Sequence, residues 1–337
     1  MAERERMGRA TIEEVAAVAG VSRSTVSRVV NGSTAVSRSA LTAVQDAIAL
    51  LDYVPNRAAR SLASRQTHAI ALVVPEDTTR FFGDPFFAEI VAGISSRLAA
   101  SDYVLTLLVA SEDPGDKMTG FVRNGGVDAA IIVSHHTSDS FVDRIAESVP
   151  VVFGGRPAHE RPSDYVVDVD NVRGGRIAAE HLIARGCRRI ATVTGPLTMP
   201  PAVDRLRGFR EALRDAGLEP WAELDGGFSE AGGAEAAGRL LEGEARPDGV
   251  FVASDLMASG VLRVLRGAGL RVPEDVAVIG YDDSQIAVAT DPPLTTVRQP
   301  MHAEGETMAA VLIDVLAGRS PRRVTIMPTE LVVRASA

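Results

Sequence analysis

Apolar residues recur at helical spacing near the start of the chain and predict two short helices with a tight break between them. Thr11 and Glu14 stand three residues apart at the start of the first helix, which is the spacing of a capping box. Gly20 can end that helix, and Ser22 can cap the second one. The apolar positions of the two helices are Ile12, Val15, Ala16, Ala19, Val26, Val29 and Val30.

A third amphipathic segment predicts a helix from Ser37 to Leu51 that completes a small N-terminal core. Its expected packing face holds Leu41, Val44, Ile48 and Leu51. Pro55 then interrupts the helical pattern. The next nine residues, NRAARSLAS from Asn56 to Ser64, fit either a short helix capped by Asn56 or a simple linker, because so short a helix is unstable alone in water.

From His68 onward the pattern changes to apolar strands that alternate with amphipathic helices. One series runs through the strands AIALVVP, YVLTLLVAS, DAAIIVS and VPVVFG, and a second through RIATVTG, GVFVAS and VAVIGYDD. Continuous apolar strands that alternate with helices are typical of doubly wound parallel sheets. The sequence therefore predicts an α/β fold with two similar subdomains and a cleft between them.

The second predicted helix has the surface of a DNA-reading helix. Its outward face carries Arg23, Ser24, Ser27 and Arg28, and no acidic residue occurs from Val21 to Val30. In a helix-turn-helix, the second helix enters the major groove and its first residues meet the base edges. A helical hairpin with no DNA-binding role is the alternative, since glycine between two short helices is common.

The segments VAAVAGVSRSTVSRVVNG and VSRSALTAVQDAIALLDYVPNRAARSL resemble the headpiece and hinge of the LacI/GalR family of bacterial transcription regulators. The resemblance runs almost continuously from Thr11 to Leu62. It implies a hinge helix that orders on operator DNA and an intercalating leucine at Leu62. The residues expected to contact DNA are Thr11, Ser22, Arg23, Ser24, Thr25, Ser27, Arg28, Asn31, Asn56, Arg57, Ala59 and Leu62.

The charge distribution agrees with DNA contact through one end of the molecule. The chain has 337 residues and a net charge of -9, yet residues 1–65 carry nine arginines and six acidic residues. A basic module on an acidic body suggests that only the N-terminal part meets nucleic acid. The single cysteine precludes an internal disulfide, and no signal peptide or membrane span is evident, so we expect a cytoplasmic protein.

The resemblance implies a fold of the periplasmic-binding-protein type for the remaining residues, crossed three times by the chain. The C-terminal helix, about residues 301–317, would then return to the first subdomain. The expected divisions are a flexible lead at 1–9, a helix-turn-helix headpiece at 10–55, a hinge at 56–66 and an effector and dimerisation domain at 67–337. The two subdomains would be 67–167 plus 299–322 and 168–296 plus 323–337.

Sequence motifs for catalysis are missing. The chain has no GxSxG elbow, P-loop or HExxH motif, and its glycine pairs do not form a GxGxxG fingerprint. His135 and His136 could bind metal, but adjacent strand residues point to opposite faces, so a strand-end loop is favoured. We therefore expect neither enzymatic activity, nor a cofactor, nor a metal. Two other classes of protein are alternatives to a DNA-binding regulator, namely a sugar-binding transport protein and an α/β sugar-modifying enzyme.

Ligands of open α/β sheets bind beyond the carboxyl ends of the strands, and several suitable side chains lie at such ends. Carboxylates and arginine can pair with sugar hydroxyls, and aromatic rings can pack on the C–H face of a sugar. The resemblance matches Arg205 to the arginine of the RLxGF motif and Asp282 to the first aspartate of GYDD. The residues expected to bind effector are Phe86, Phe87, Arg205, Phe228, Ser254, Asp255 and Asp282.

Three departures from the family pattern bear on the effector. Met199 stands where purine-responsive members carry a basic residue, which favours a sugar over a purine. Gly155 and Arg156 stand where some lactose-type members carry an acid. The segment TTRFFGDPFFAE is longer than the usual loop before the paired aromatics, so the mouth of the pocket is expected to differ.

The predicted function is that of a dimeric transcription regulator of the repressor type, whose DNA binding is controlled by a sugar bound between the subdomains. A dimer on a palindromic operator doubles the few base contacts that one reading helix can make. Effector would shift a two-state equilibrium of the subdomains, by an amount set by its differential affinity for the two states. The expected partners are double-stranded operator DNA, a sugar and a second copy of the chain.

Overall fold

Residues 10–30, 35–53, 66–243 and 245–337 are described by a computed structural model of the chain. They belong to two units that meet in the sequence between Thr67 and His68. The expected hinge at 56–66 falls almost entirely outside the described residues. The two units are therefore described separately.

The N-terminal unit contains the three predicted helices, α1 (Ile12–Ala19), α2 (Arg23–Val30) and α3 (Arg38–Leu51). The predicted capping box is confirmed, because the Glu14 backbone N–H donates to the Thr11 hydroxyl and the Thr11 N–H donates to the Glu14 carboxylate. The buried side chains of its core are Val15, Ala16, Val26, Val44, Ala47 and Tyr53. The prediction that Leu41 packs in this core was wrong, since its side chain is exposed.

The larger unit alternates strands and helices. Its strands are β1 (Ala69–Val74), β2 (Val104–Val109), β3 (Ala129–Val133), β4 (Val151–Gly154), β5 (Tyr165–Val169), β6 (Ile190–Thr194), β7 (Glu223–Asp225), β8 (Gly249–Val252), β9 (Ala277–Asp282), β10 (Thr295–Arg298), β11 (Val324–Met327) and β12 (Glu330–Val332). Its helices are α4 (Thr78–Gly83), α5 (Pro85–Leu98), α6 (Lys117–Arg123), α7 (Ser140–Ala146), α8 (Asn171–Ala184), α9 (Pro200–Asp215), α10 (Glu230–Leu240), α11 (Asp255–Gly267), α12 (Gln285–Ala289) and α13 (Met301–Leu316).

The strands form two sheets, one in each lobe of the larger unit. The first lobe has the order β11-β5-β4-β3-β1-β2, and all of its strand pairs are parallel. The second has the order β12-β10-β9-β8-β6-β7, in which β12 runs antiparallel to β10. Strands such as β1, β3 and β8 are buried along their whole length because helices cover both faces of each sheet. The predicted doubly wound fold is confirmed.

The chain passes between the lobes three times, as expected, at Asp170, at Gln299–Pro300 and at Pro328–Thr329. Helix α13 returns to the first lobe and packs against α5. One predicted boundary was wrong, because β11 lies in the first lobe, where its residues Val324–Met327 pair with Val166–Val169. The second lobe therefore receives only β12 and the residues after it from the end of the chain.

Helices α8 and α9 approach each other closely in the second lobe, and glycine makes this approach possible. A Cβ atom at Gly175 would clash with the backbone carbonyl of Arg205, and one at Gly208 would clash with the carbonyl of Val172. A side chain at Gly174 would meet the ring of Tyr281. The glycine pair of α8 thus serves helix packing and fixes the position of Arg205 against the sheet.

Candidate DNA-reading helix and effector cavity

Helix α2 presents the predicted polar face to solvent. Ser22, Arg23, Ser24 and Arg28 are exposed, whereas Val26 is fully buried. The Ser22 hydroxyl accepts a hydrogen bond from the Thr25 N–H at 3.2 Å, so it caps the start of the helix. The first turn of α2 therefore has the side chains and the exposure that reading of base edges requires.

Arg23 has a partner that the sequence did not suggest. Its Nε atom lies 3.2 Å from a carboxylate oxygen of Glu13 on α1, and both side chains are exposed. An exposed ion pair of this kind is weak and is screened by salt. Arg23 is thus oriented by α1 yet free to exchange Glu13 for a stronger partner.

Part of the predicted DNA-binding set lies outside the described residues. This part comprises Asn31, Asn56, Arg57, Ala59 and Leu62. Thr11 lies at the start of α1, and Thr25 and Ser27 are half-buried on α2. Together with Ser22, Arg23, Ser24 and Arg28, these residues form the described portion of the predicted DNA-binding face.

A cleft between the two lobes of the larger unit contains a cavity, and its empty space together with the adjoining open solvent is about 570 Å³. The carboxyl ends of strands from both sheets reach it, as expected for a doubly wound fold. Its lining residues include Arg80, Asp84, Phe86, Ser134, Gly155, Asp168, Asn171, Met199, Arg205, Phe228, Ser254, Asp282, Gln299 and Glu304.

Arg205 is the centre of a buried hydrogen-bond network on one wall of the cavity. Its guanidinium donates to the Asn171 side-chain oxygen at 2.9 Å, to the Ala253 carbonyl at 2.6 Å and to the Gln299 amide oxygen at 3.4 Å. The Gln299 amide in turn donates to Asp282 at 2.6 Å. Arg205 and Asp282, predicted from separate motifs, are thus joined through one intervening side chain.

Four carboxyl groups line the cavity, and burial raises the pKa of each one. Burial raises the pKa of Asp168 to about 6 and that of Glu304 to about 8, and it also raises the pKa of Asp84. Burial raises the pKa of Asp282 well above its ordinary value, although the positive charge of Arg205 opposes this shift. Burial therefore favours the neutral form of each carboxyl group, which can donate as well as accept a hydrogen bond.

Aromatic and basic groups form another part of the wall. Phe86 stands at the start of α5, and Phe228 lies before α10 with φ at +50°. The Arg80 guanidinium lies 5.2 Å from the centre of the Phe228 ring and makes an ion pair with Glu76. An aromatic face beside polar groups suits a ligand with both C–H and O–H surfaces.

Two residues predicted to bind effector do not line the cavity. Phe87 is almost fully buried in the core of the first lobe, where it packs near Phe81, because adjacent helical residues point to different faces. Asp255 is fully buried behind the wall and accepts hydrogen bonds from the Ser284 N–H at 2.8 Å and the Thr296 hydroxyl at 2.6 Å. Both positions are corrections to the predicted site: Phe87 is a core residue, and Asp255 supports the loop after β9.

Several cavity residues were missed by sequence reasoning. In the segment DVDN, Asp168 lies near the end of β5 and Asn171 begins the helix that follows, so the strand-end rule that found Asp282 could have found them. Arg80 and Asp84 lie on or beside α4, in the unusually long segment before the aromatic pair. Gln299 and Glu304 come from a crossing segment and a returning helix, which no strand pattern indicates.

The lobes touch each other at the mouth of the cleft. The Thr137 N–H donates to the Thr198 carbonyl at 2.9 Å, and a ring nitrogen of His136 lies 2.7 Å from the Thr198 hydroxyl. The Arg156 guanidinium lies 3.2 Å from Asp204 on α9. His135 packs instead against the edge of Phe153, so the two histidines have separate environments. The lobes are therefore in contact around the cavity.

Comparison with known proteins gives two matches to family models. Residues 11–56 match the bacterial regulatory proteins of the lacI family, and residues 179–337 match the periplasmic binding protein-like domain. The HTH-type transcriptional regulator CelR of Thermobifida fusca is 45% identical, over 98% of this chain and 99% of its own length. The chain belongs to the LacI family of bacterial transcription regulators.

Two solved structures support the same assignment along the whole chain. The structure of a transcriptional regulator CelR–cellobiose complex has a TM-score of 0.77 and 41% identity, and the comparison covers 98% of this chain and 100% of that one. The lac repressor dimer bound to operator and the anti-inducer ONPF has a TM-score of 0.84 and 31% identity, with 98% and 99% coverage. This LacI-family protein is a sequence-specific DNA-binding regulator controlled by a small effector.

No helix in the described parts of this LacI-family protein has the length and apolar character needed to cross a bilayer. This finding matches the lack of a long apolar run in the sequence.

Proposed function

We propose that this protein is a dimeric repressor that binds a palindromic operator through α2 and the hinge, and that a neutral sugar in the cleft controls its DNA affinity. The observation that carries the proposal is the Arg205–Gln299–Asp282 network beneath the aromatic wall of the cavity. It joins a cation, an amide and a carboxyl group in one hydrogen-bonded chain.

The favoured effector is a glucose-containing disaccharide such as cellobiose. CelR of Thermobifida fusca is similar along the whole chain, and a CelR structure is a complex with cellobiose. The cavity combines polar groups with the aromatic rings of Phe86 and Phe228. Met199 at the cavity wall supplies no positive charge for a purine, so a sugar is the better candidate.

The proposed mechanism couples sugar binding to the angle between the lobes. A sugar that contacts Arg205 and Asp282 from the second lobe and Asp84 or Phe86 from the first binds more strongly when the lobes are in contact. Only this differential affinity can shift the equilibrium between the two lobe arrangements. The shift changes how the headpieces of a dimer reach two half-sites. The protein acts by binding, inside the cytoplasm, and leaves the sugar unchanged.

A gel-shift experiment on DNA from the protein's own promoter region tests this proposal. The operator fragment is titrated with protein at fixed salt, with and without cellobiose, ribose, lactose or hypoxanthine. We expect a salt-dependent complex whose affinity changes with cellobiose and not with hypoxanthine. Chromatography of the sugar after long incubation separates binding from catalysis, because an enzyme would consume it.

Two results would contradict the proposal in different ways. The assignment of a sugar effector is wrong if no ligand in the panel alters DNA binding and calorimetry detects no binding of any sugar to the protein. If cellobiose binds but the complex forms equally well on unrelated DNA, the assignment of the DNA-reading face is wrong.

A further inference from the structure

Glu304 is a buried carboxyl group of the cavity wall for which the family resemblance and the strand-end rule give no role. It lies in the first turn of α13, the helix that returns from the second lobe to the first. Only 5% of the residue is exposed, and it lines the cavity. Its Oε2 atom is buried, and the described part of the chain provides no hydrogen-bond partner for it.

The other three carboxyl groups of the cavity differ from Glu304 because each accepts hydrogen bonds from the protein. Asp84 accepts a hydrogen bond from the Phe86 N–H at 3.0 Å. Asp168 accepts from the backbone of Arg156 and from the Asn171 amide. Asp282 accepts from the Gln299 amide. Each of these side chains therefore has at least one hydrogen-bond partner within the protein.

Burial of a carboxyl oxygen without a partner is unfavourable, and native proteins seldom leave such an atom unpaired. The ionisable groups that face Glu304 are Asp168 on β5, Arg205 on α9 and Tyr281 on β9. Burial, helped by the nearby Asp168, raises the pKa of Glu304 to about 8, and Arg205 opposes the shift. At neutral pH the group is mostly protonated, so it can both donate to and accept from one hydroxyl group.

Backbone from the end of β4 borders the cavity close to this helix. Met308, one turn after Glu304 on α13, packs at Gly154, where an added Cβ atom would lie 2.8 Å from the Met308 sulfur. Gly154 and Gly155 both line the cavity and contribute no side chain to it. The end of β4 therefore borders the cavity with bare backbone on the side where α13 begins.

We propose that Glu304 is a specificity-determining residue that exchanges hydrogen bonds with a hydroxyl group of the bound sugar. This inference rests on the proposed function, because it assumes that a sugar occupies the cavity. The hydroxyl supplies the partner that Oε2 lacks in the protein alone. A sugar with hydrogen in place of that hydroxyl leaves the carboxyl unpaired and binds more weakly.

Calorimetric titration with cellobiose at pH 7 tests the inference with matched variants. Glu304→Leu removes the polar group and should weaken cellobiose binding by about tenfold, the loss expected for one hydrogen bond of ordinary strength. Glu304→Gln keeps a donor and an acceptor and should bind within about threefold of wild type. Glu306→Leu is the control, since Glu306 lies on the same helix but bonds to Ser96 outside the cavity.

Thermal unfolding without sugar separates a ligand-binding role from a structural one. Glu304→Leu should melt at or above the wild-type temperature, because it removes a buried unpaired carboxyl group. A lower melting temperature for both Glu304→Leu and Glu304→Gln would assign Glu304 to the fold and overturn the inference.

The binding outcomes distinguish this inference from the proposed function. If wild type and Glu304→Leu bind cellobiose equally well, the inference is wrong and the proposed function stands. If wild type binds neither cellobiose nor the other sugars of the panel, the sugar effector is wrong and the role of Glu304 is rejected with it.

Discussion

The guanidinium carbon of Arg205 lies 3.6 Å from the centre of the Tyr281 ring. Tyr281 is fully buried, and its hydroxyl donates to the same Asn171 oxygen that accepts from Arg205. The ring therefore supports one face of the guanidinium while Asn171 fixes its edge. A cation held in this way is pre-organised for a ligand and loses little side-chain entropy on binding.

The support of Arg205 predicts that a lysine cannot replace it. Arg205→Lys keeps the charge but loses the planar group that reaches Asn171, Ala253 and Gln299 together. We expect at least tenfold weaker sugar binding and no sugar response in gel shifts, with operator affinity nearly intact. Asp282→Asn should behave in the same way. Arg207→Lys is the control, because Arg207 is largely exposed on the same helix. Loss of operator binding in a folded variant would contradict this prediction.

Arg23 is predicted to read a base pair. Arginine can donate two hydrogen bonds to guanine O6 and N7, a contact worth about 1–3 kcal/mol of discrimination. Arg23→Ala should therefore relax sequence preference at one position of each half-site, as measured by competition with single-base operator variants. Arg38→Ala, in the first turn of α3, is the control for a general loss of positive charge. An equal loss on all sequences would mark Arg23 as a phosphate contact.

The contact between Arg156 and Asp204 is predicted to favour the arrangement in which the lobes touch. The Arg156 side chain is 41% exposed, so solvent screens the pair and its contribution is limited to about 0.2–1 kcal/mol. Arg156→Ala should weaken sugar binding by about 1.4- to fivefold. The difference from wild type should shrink as salt rises. An unchanged affinity at low salt would show that the pair does not bias the lobes.

Glu304 also predicts a dependence of stability on pH. Its pKa is about 8 in the folded protein and 4.5 ordinarily, so between these values the folded state holds a proton that the unfolded state has released. The free energy of unfolding then falls as pH rises through this window, by up to about 1.4 kcal/mol per pH unit. Glu304→Gln should remove this part of the slope in denaturant titrations at pH 5, 6, 7 and 8. An identical slope in both proteins would contradict the prediction.

Leu62, which lies outside the described residues, is predicted to wedge into the minor groove. Leu62→Ala should weaken specific operator binding strongly and reduce DNA bending, because wedging kinks the duplex at a flexible step. The melting temperature of the free protein and its affinity for sugar should not change. A clear drop in melting temperature without DNA would instead place Leu62 in the protein core.

Sequence reasoning succeeded where a residue's role follows from local spacing. Thr11 and Glu14 form their capping box within one helical turn, and the apolar strands specify two parallel sheets. Arg205 and Asp282 came from the family resemblance and both line the cavity, while their role in binding effector stays a prediction. Sequence reasoning failed for Phe87 and Asp255, because burial depends on the direction of the side chain and not only on its place in the strand-end segment.

Other cavity residues depend on contacts that no short segment encodes. Glu304 reaches the cavity only because α13 crosses back to the first lobe after the second has formed. The pairing of Gln299 with both Arg205 and Asp282 likewise needs the crossing segment in place. The unpartnered oxygen of Glu304 is a property of the packed environment, and it has no signature in the residues around it.

The three crossing segments also restrict how the lobes can move. Three neighbouring connections allow one lobe to rotate about one axis relative to the other more easily than they allow it to slide or to move independently. Asn171 and Gln299 lie beside or within two of these connections, and Arg205 bonds to both. Arg205 therefore lies beside these connections, where a rotation of the lobes produces the smallest displacement. The edges of the lobes that lie far from the connections move furthest in such a rotation, so a small change beside Arg205 corresponds to a larger one at those edges.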